Sequence, residues 1–341
     1  MNNIYKYGFA LLAACVSAGA LTSCGDWTEQ ESIDLVYNTP DKANPAQYAK
    51  YLEGIRQYRQ TDHKLTYVWF NNPAGDQVTN TRAERVMALP DSVDFVVFNN
   101  PASLTETTIS DMKEAREKKG MKFSYVIDFD AIKLAYLNHV ATSTEENPFD
   151  VDFLDFVTDT ASTTLAYAKK NGFDGIMIGY NGKNTSHLTA AELTEYKKQE
   201  LVFIGIMSDW HARNPEMLID FIGKPQNVAN KDLVNDCHVL FLSESQSANS
   251  TYGFGMAVAM ASVEGVPTDR FGVVTTYLDP SDEKIGHMVD GSLCVTSLAN
   301  WASGENVKAA GFTNTVYDYY NVAKPYPVLR EAIQILNPSN L

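Results

Sequence analysis

The chain has 341 residues, with 27 Lys and Arg against 42 Asp and Glu, a formal charge of −15 at pH 7. That length supports one large domain with a sizeable core, and the acidic balance disfavours nucleic acid and anionic lipid as partners while favouring neutral ligands. No cofactor or metal is expected: the six histidines are scattered without HxH or HExxH spacing, and no GxGxxG, Walker or GxSxG pattern occurs.

In chain order the first element is a leader. MNNIYKYGFALLAACVSAGALTSCG carries Lys6 ahead of an apolar run from Phe9 to Leu21, too short and too early for an ordinary membrane span. The run ends in Leu21-Thr22-Ser23-Cys24, which resembles a bacterial lipobox; the plainer alternative is a secretory peptide with an incidental cysteine. The lipobox predicts residues 1–23 as a lipoprotein signal peptide and acylation of Cys24. Acyl chains contribute about 0.8 kcal/mol per buried CH₂, so a multiply acylated terminus holds firmly to a membrane. Residues 24–44, acidic and proline-bearing, read as a tether.

From residue 45 to 341 helix-like and strand-like segments alternate. A helix in PAQYAKYLEGIRQYRQ precedes a strand in KLTYVWF, a second in VDFVVF, a helix in TISDMKEAREKKG and a third strand in MKFSYVIDF. An amphipathic helix, VDFLDFVTDTASTTLAYAKKNG, feeds the fourth strand, FDGIMIGY, and a long helix to Asn214 precedes the fifth, MLIDFIG. HVLFLSE is the sixth, FGVVTTYLD the seventh and GFTNTVYDY the eighth, before a closing helix in YPVLREAIQIL. Eight strands with intervening helices predict a single (β/α)₈ TIM barrel, of class α/β; a doubly wound sheet fits part of the alternation but lacks a phosphate-binding glycine loop. Cys237 and Cys294 each sit in an apolar run, as a disulfide formed after export or as buried thiols.

The stretch YAKKNGFDGIMIGYN resembles the fourth-strand region of glycoside hydrolase family 18, the chitinases and endo-β-N-acetylglucosaminidases, whose active members carry DGxDxDxE there. The lipobox, tether and compact barrel resemble the Bacteroides-type lipoproteins of that family. Residue by residue, Asp174 and Gly175 match the opening pair, whereas Met177 and Gly179 stand where aspartates are expected and Asn181 where the catalytic glutamate is expected. Residues 177, 179 and 181 share one face of a strand. The resemblance implies that this face points into the barrel, that its last carboxyl protonates the leaving group, and that an aspartate orients the substrate's acetamido group. Asn181 has no titrating proton near neutral pH and Gly179 has no side chain. Outside the resemblance, an apolar DG strand after a helix is also common in α/β proteins, with Asp174 capping a loop.

Ligand sites in such barrels gather at the carboxyl ends of the strands. The residues there are Trp69, Asn71, Asn72, Asn99, Asn100, Asp128, Asp130, Tyr180, Asn181, Glu244, Gln246, Tyr277, Asp279, Tyr317 and Asp318. Of these, Trp69, Tyr180, Tyr277 and Tyr317 are candidate stacking faces, and Asn71, Asn99 and Asn181 candidate hydrogen-bonding groups, for a sugar ring. Three accounts compete. One is a catalytically inactive, lipid-anchored barrel that binds N-acetylglucosamine-containing oligosaccharide or N-glycan, at the outer membrane or cell surface, beside an outer-membrane glycan transporter. Another is an active endo-β-N-acetylglucosaminidase or other glycoside hydrolase using Glu244 and Asp279, which end neighbouring strands. The third is a structural envelope lipoprotein.

Overall fold

The computed structural model describes residues 40–73 and 81–338. The leader, the Cys24 lipidation site and most of the expected tether lie outside the described residues. Two units are distinguished, residues 1–50 and 51–341. In the first, a helical turn, α1 (Pro40–Ala43), is followed by the start of α2 (Pro45–Tyr58).

The second unit holds the eight strands β1 (Leu65–Phe70), β2 (Phe95–Phe98), β3 (Lys122–Asp128), β4 (Gly175–Tyr180), β5 (Leu218–Gly223), β6 (Leu240–Leu242), β7 (Phe271–Thr276) and β8 (Ala309–Thr313). They form a closed parallel barrel in sequence order. The helices between them are α3 (Glu106–Lys119), α4 (Phe129–Ala141), α5 (Phe153–Lys170), α6 (Ala190–Arg213), α7 (Asp232–Asp236), α8 (Thr251–Ala261), α9 (Cys294–Gly304), α10 (Val316–Tyr319) and α11 (Pro327–Leu336). The (β/α)₈ expectation is met.

Several boundaries differ from those read in the sequence. The segment after β3 contains α4, which the sequence reading passed over. Asp128 is at once the last residue of β3 and the N-cap of that helix, so no turn residue separates the two elements. α9 was also unassigned. β8 ends at Thr313 because Asn314 takes a left-handed φ of 60° and the chain turns into α10. β6 stops at Leu242, and Ser243–Ser247 form a 3₁₀ turn carrying Glu244. Cys237 and Cys294 are free, buried thiols, the first donating to the Leu233 carbonyl at 3.2 Å, so the disulfide reading is set aside.

Alternation along each strand divides two cores. The outer one, between sheet and helices, includes Val68, Phe98, Ile176, Ile178, Tyr180, Phe221 and Val273. The inner one fills the barrel with Tyr67, Trp69, Phe95, Val97, Met177, Val239, Phe241, Val274 and Ala309. Its aromatic members interlock: Tyr67 stacks on Phe95 at 4.3 Å between centroids, and Phe241 meets Tyr67 and Trp69 edge-on at 4.8 and 5.5 Å. Glycines on the facing strands make room. A Cβ on Gly272 would lie 2.7 Å from the Phe241 ring, and one on Gly311 would lie 2.7 Å from Trp69 Cζ3.

The base of the barrel is closed by polar bonds. Arg59 donates to Asp94 Oδ1 at 2.6 Å and to the carbonyls of Asp91, Val93 and Lys119. Inside the barrel the buried Asp220 carboxyl accepts from Tyr67 Oη and from the Val239 amide, each at 3.1 Å.

Gly311→Ala should therefore overpack the interior and destabilise the fold by about 1–3 kcal/mol. Adding Trp69→Leu should recover part of that loss in chemical denaturation. Equal costs of Gly311→Ala in both backgrounds would refute the packing account.

Candidate active site

The inward parity of each strand delivers a specific set of residues to the carboxyl end of the barrel. β1 ends toward Asn71, β2 toward Asn99, β3 at Asp128, β4 at Gly179 and then Asn181, and β6 at Ser243. Met177 lies in the inner core one step below Gly179, whereas Ile176, Ile178 and Tyr180 pack outside. The face assignment of the fourth strand read from the sequence is the one observed.

Asp174 and Gly175 belong to the opposite end of β4. The Asp174 carboxyl accepts from Arg116 Nε and Nη2 at 3.1 and 2.9 Å and from the Phe123 amide at 2.9 Å, tying α3 and β3 to the start of β4. Its role is structural.

At the mouth, Asn181 is held on three sides. Its Nδ2 donates to Asp130 Oδ2 at 2.9 Å, its Oδ1 accepts from Ser243 Oγ at 2.7 Å, and its backbone carbonyl accepts from Asn227 Nδ2 at 2.9 Å. These bonds fix the amide's orientation and commit one donor and one acceptor of its side chain. Ser243 and Asn227 were not among the sequence candidates; alternation from Phe241 points to Ser243, and nothing local points to Asn227.

Gly179 pairs in register with Asp128 of β3. A Cβ at position 179 would come to 2.9 Å from both Cα and Cβ of Asp128, and closer still to its Oδ2. The Asp128 side chain thus stands where a side chain of residue 179 would begin. Its Oδ1 accepts from the Ala131 amide at 2.7 Å, capping α4. Burial, together with the nearby Asp130 charge, raises the Asp128 carboxyl above the usual carboxylate range against the lowering effect of backbone N–H donors.

Asn71 and Asn99 meet across the mouth, Asn99 Nδ2 donating to Asn71 Oδ1, and both are exposed. Their neighbours Asn72 and Asn100 instead lock β1 to β2. Asn72 donates to the Asn100 carbonyl at 2.9 Å and accepts from its amide at 3.0 Å, while Asn100 Nδ2 donates to the Asn72 carbonyl at 3.0 Å.

The aromatic candidates need correction. Trp69 points inward but is 8 % exposed, its ring packed against Phe241 and Gly311 in the barrel core. Tyr180 is 1 % exposed and faces the helices, its hydroxyl donating to Tyr196 and to Glu200 at 2.9 and 3.1 Å. Tyr277 also has outward parity. Burial, then the Asp318 carboxylate that it hydrogen-bonds, push its hydroxyl up to about 12. Asp318 is buried and accepts from the Leu329 amide at 2.8 Å, so it orders the start of α11. Tyr317 lies on α10, partly exposed beyond β8.

The two alternative acids, Glu244 and Asp279, each have polar partners of their own. Glu244 is paired with Lys224 at 3.1 Å and accepts from Gln226 at 3.3 Å. Asp279 lies in the loop after β7, where the Ser281 hydroxyl and amide, at 2.7 and 2.8 Å, hold its carboxyl below the usual range. For Asp279 that is the opposite of the shift a protonated acid at neutral pH requires.

A cleft of about 870 Å³ lies at the other end of the barrel, lined in part by His63, Lys64, Lys308 and Asn337. Its ammonium groups are occupied, Lys64 by the Val307 carbonyl at 2.8 Å and Lys308 by the His238 carbonyl at 3.1 Å. This is a seam in the barrel base, away from the mouth residues.

The model of glycoside hydrolase family 18, BT1044-like, matches residues 28–335. This chain belongs to that family. Among proteins of curated function none matches the sequence. A solved structure of a Glu-to-Gln variant of BT1044 shares 19% identity, with 87% of this chain and 95% of that one covered at a TM-score of 0.62. Endo-β-N-acetylglucosaminidase from Cordyceps militaris, in apo form, shares 13% identity over 85% of this chain and 96% of that one, at a TM-score of 0.58. A double variant of the same enzyme, in complex with fucosyl-N-acetylglucosamine-Asn, shares 13% over 84% and 95%, at 0.55. At these identities the likeness is one of fold.

The crowding at β3–β4 has a measurable consequence. Gly179→Ala should destabilise the protein by about 1–3 kcal/mol through overpacking. In an Asp128→Gly background, where glycine at the N-cap costs only a few tenths of a kcal/mol, the same change should cost clearly less. Additive costs in a double-mutant cycle would show that the two positions do not compete for space.

Proposed function

We propose that this family 18 barrel binds N-acetylglucosamine-containing glycans without cleaving them. The observation that carries this reading is the state of Asn181. The residue in the glutamate's position is an amide, pinned between Asp130 and Ser243, with no proton to give a leaving group. General acid catalysis contributes typically 10²–10⁴-fold, so its absence removes a step of the mechanism. The polar residues at the mouth, Asn71, Asn99, Asp128, Asp130, Asn181 and Ser243, offer donors and acceptors suited to ring hydroxyl and acetamido groups. The complex of the Cordyceps militaris enzyme with fucosyl-N-acetylglucosamine-Asn supports the choice of ligand class. With the buried aromatics excluded, Asn71, Asn99, Asn181 and partly exposed Tyr317 are the remaining sequence candidates placed to meet a sugar.

We place this activity at the cell envelope, tethered through Cys24, with an outer-membrane glycan transporter as a fitting partner. The lipobox at residues 21–24 supports this location.

Titration calorimetry with chitooligosaccharides and high-mannose N-glycans should give weak micromolar to millimolar binding, with no cleavage of either above buffer background. Asn181→Glu alone should not restore full hydrolysis, because Met177 still stands where the motif has an aspartate. Turnover by the purified protein that vanishes on Glu244→Gln or Asp279→Asn would establish the hydrolase reading instead, and absence of binding across a broad panel would leave the structural-lipoprotein reading.

The membrane claim has its own check. The protein should label with palmitate and sediment with membranes, and Cys24→Ser should release it. A wild-type protein that stays soluble and unlabelled refutes the anchor.

A further inference from the structure

The motif's empty position on β4 is not an empty place in the protein. Position 179 faces into the barrel at its mouth, two residues below Asn181. The volume its side chain would enter is taken by the Asp128 carboxyl, which comes from the adjacent strand in direct register. Asp128 lies on the same inward face of β3 as Val126, which packs against the inner core. The helix cap occupies Oδ1 through Ala131, and Oδ2 is the oxygen that lies over Gly179. Among the described residues, neither Asp128 nor Asp130 is ion-paired to a lysine, arginine or histidine. With backbone donors at Ala131 and Asp130 and no cationic partner, the carboxyl keeps acceptor capacity for a further donor.

We propose that Asp128 supplies from β3 the ligand-facing carboxyl that β4 lacks, accepting the N–H of the 2-acetamido group of an N-acetylhexosamine ring seated at the mouth. This rests on the glycan-binding reading above and assigns that site its specificity-determining residue. The carboxyl has crossed from one strand to its neighbour. Gly179 is what allows it to sit there, and Asn181, held by Asp130 and Ser243, forms the adjoining wall. The ionised carboxyl is the stronger acceptor, and its raised position means that binding should weaken on acidification sooner than for an ordinary aspartate.

The charged neighbour acting on Asp128 is Asp130, at the start of α4. At the same end of the neighbouring strands stand Asn99, Gly179 and Asn181, none of which titrates. The acids Asp155 and Asp159 of α5, the helix packed against α4 and β3, are exposed.

The experiment compares chitotriose with cellotriose, which has a hydroxyl in place of each acetamido group, by titration calorimetry on the full chain. Asparagine is as good an N-cap as aspartate, so Asp128→Asn keeps the structural role and removes the charge. Wild type should prefer chitotriose. Asp128→Asn should lose about tenfold to a hundredfold in chitotriose affinity, the range for a hydrogen bond to a charged group, with cellotriose affinity and melting temperature unchanged. In the wild type, chitotriose affinity should fall as pH drops through the raised Asp128 range while cellotriose affinity stays flat, a readout independent of any variant. Equal chitotriose affinity in wild type and Asp128→Asn, or a flat wild-type pH profile, overturns the assignment and leaves Asp128 as a helix cap alone. A wild type that binds neither sugar overturns the glycan-binding reading, and this assignment with it.

Discussion

The cross-section of an eight-stranded barrel is fixed by strand number and tilt, so its interior must be filled without being overfilled. In this chain the bulk comes from β1, β2 and β6 as Tyr67, Trp69, Phe95 and Phe241, and the space for it from Gly272, Ala309 and Gly311. The same pairing of large with small recurs at the mouth, where Asp128 on β3 faces Gly179 on β4. What reads along one strand as a missing acid is therefore, across two strands, a matter of which one carries the side chain.

The mouth is built from groups that restrain one another. Asn181 is oriented by Asp130 and Ser243, Asn71 by Asn99, and the ends of β1 and β2 are joined through Asn72 and Asn100. Such preorganisation suits recognition, since little side-chain freedom is left to lose when a ligand arrives. The Asn181 amide itself has no proton to transfer near neutral pH. Family membership and fold thus coexist with a site whose chemistry has to be argued from its own residues.

Much of the architecture was legible in the sequence. The strand order and the inward face at 177, 179 and 181 follow from the succession of elements and period-two alternation. The same alternation already sends Tyr180 and Tyr277 outward, so choosing them as sugar platforms by residue type and strand-end position was the weaker argument. Helix α4 was hidden because its cap, Asp128, is also the last residue of a strand, leaving no Gly, Pro or turn cluster to mark the junction. The end of β8 was hidden by Asn314, whose left-handed conformation leaves no trace in a hydrophobic pattern. The partnership of Asp128 with Gly179 depends on the register between strands far apart in sequence, which no local pattern encodes.

That partnership also constrains substitution. A chain carrying Asp128 over Gly179 cannot accept a β4 aspartate in one step without strain, because the new side chain meets an occupied volume. Removing Asp128 first vacates the space but passes through a form with no carboxyl in either strand. Each single step is disfavoured for a different reason, one by packing and the other by chemistry. The two positions are coupled, and moving the carboxyl from β3 to β4 would require both changes together.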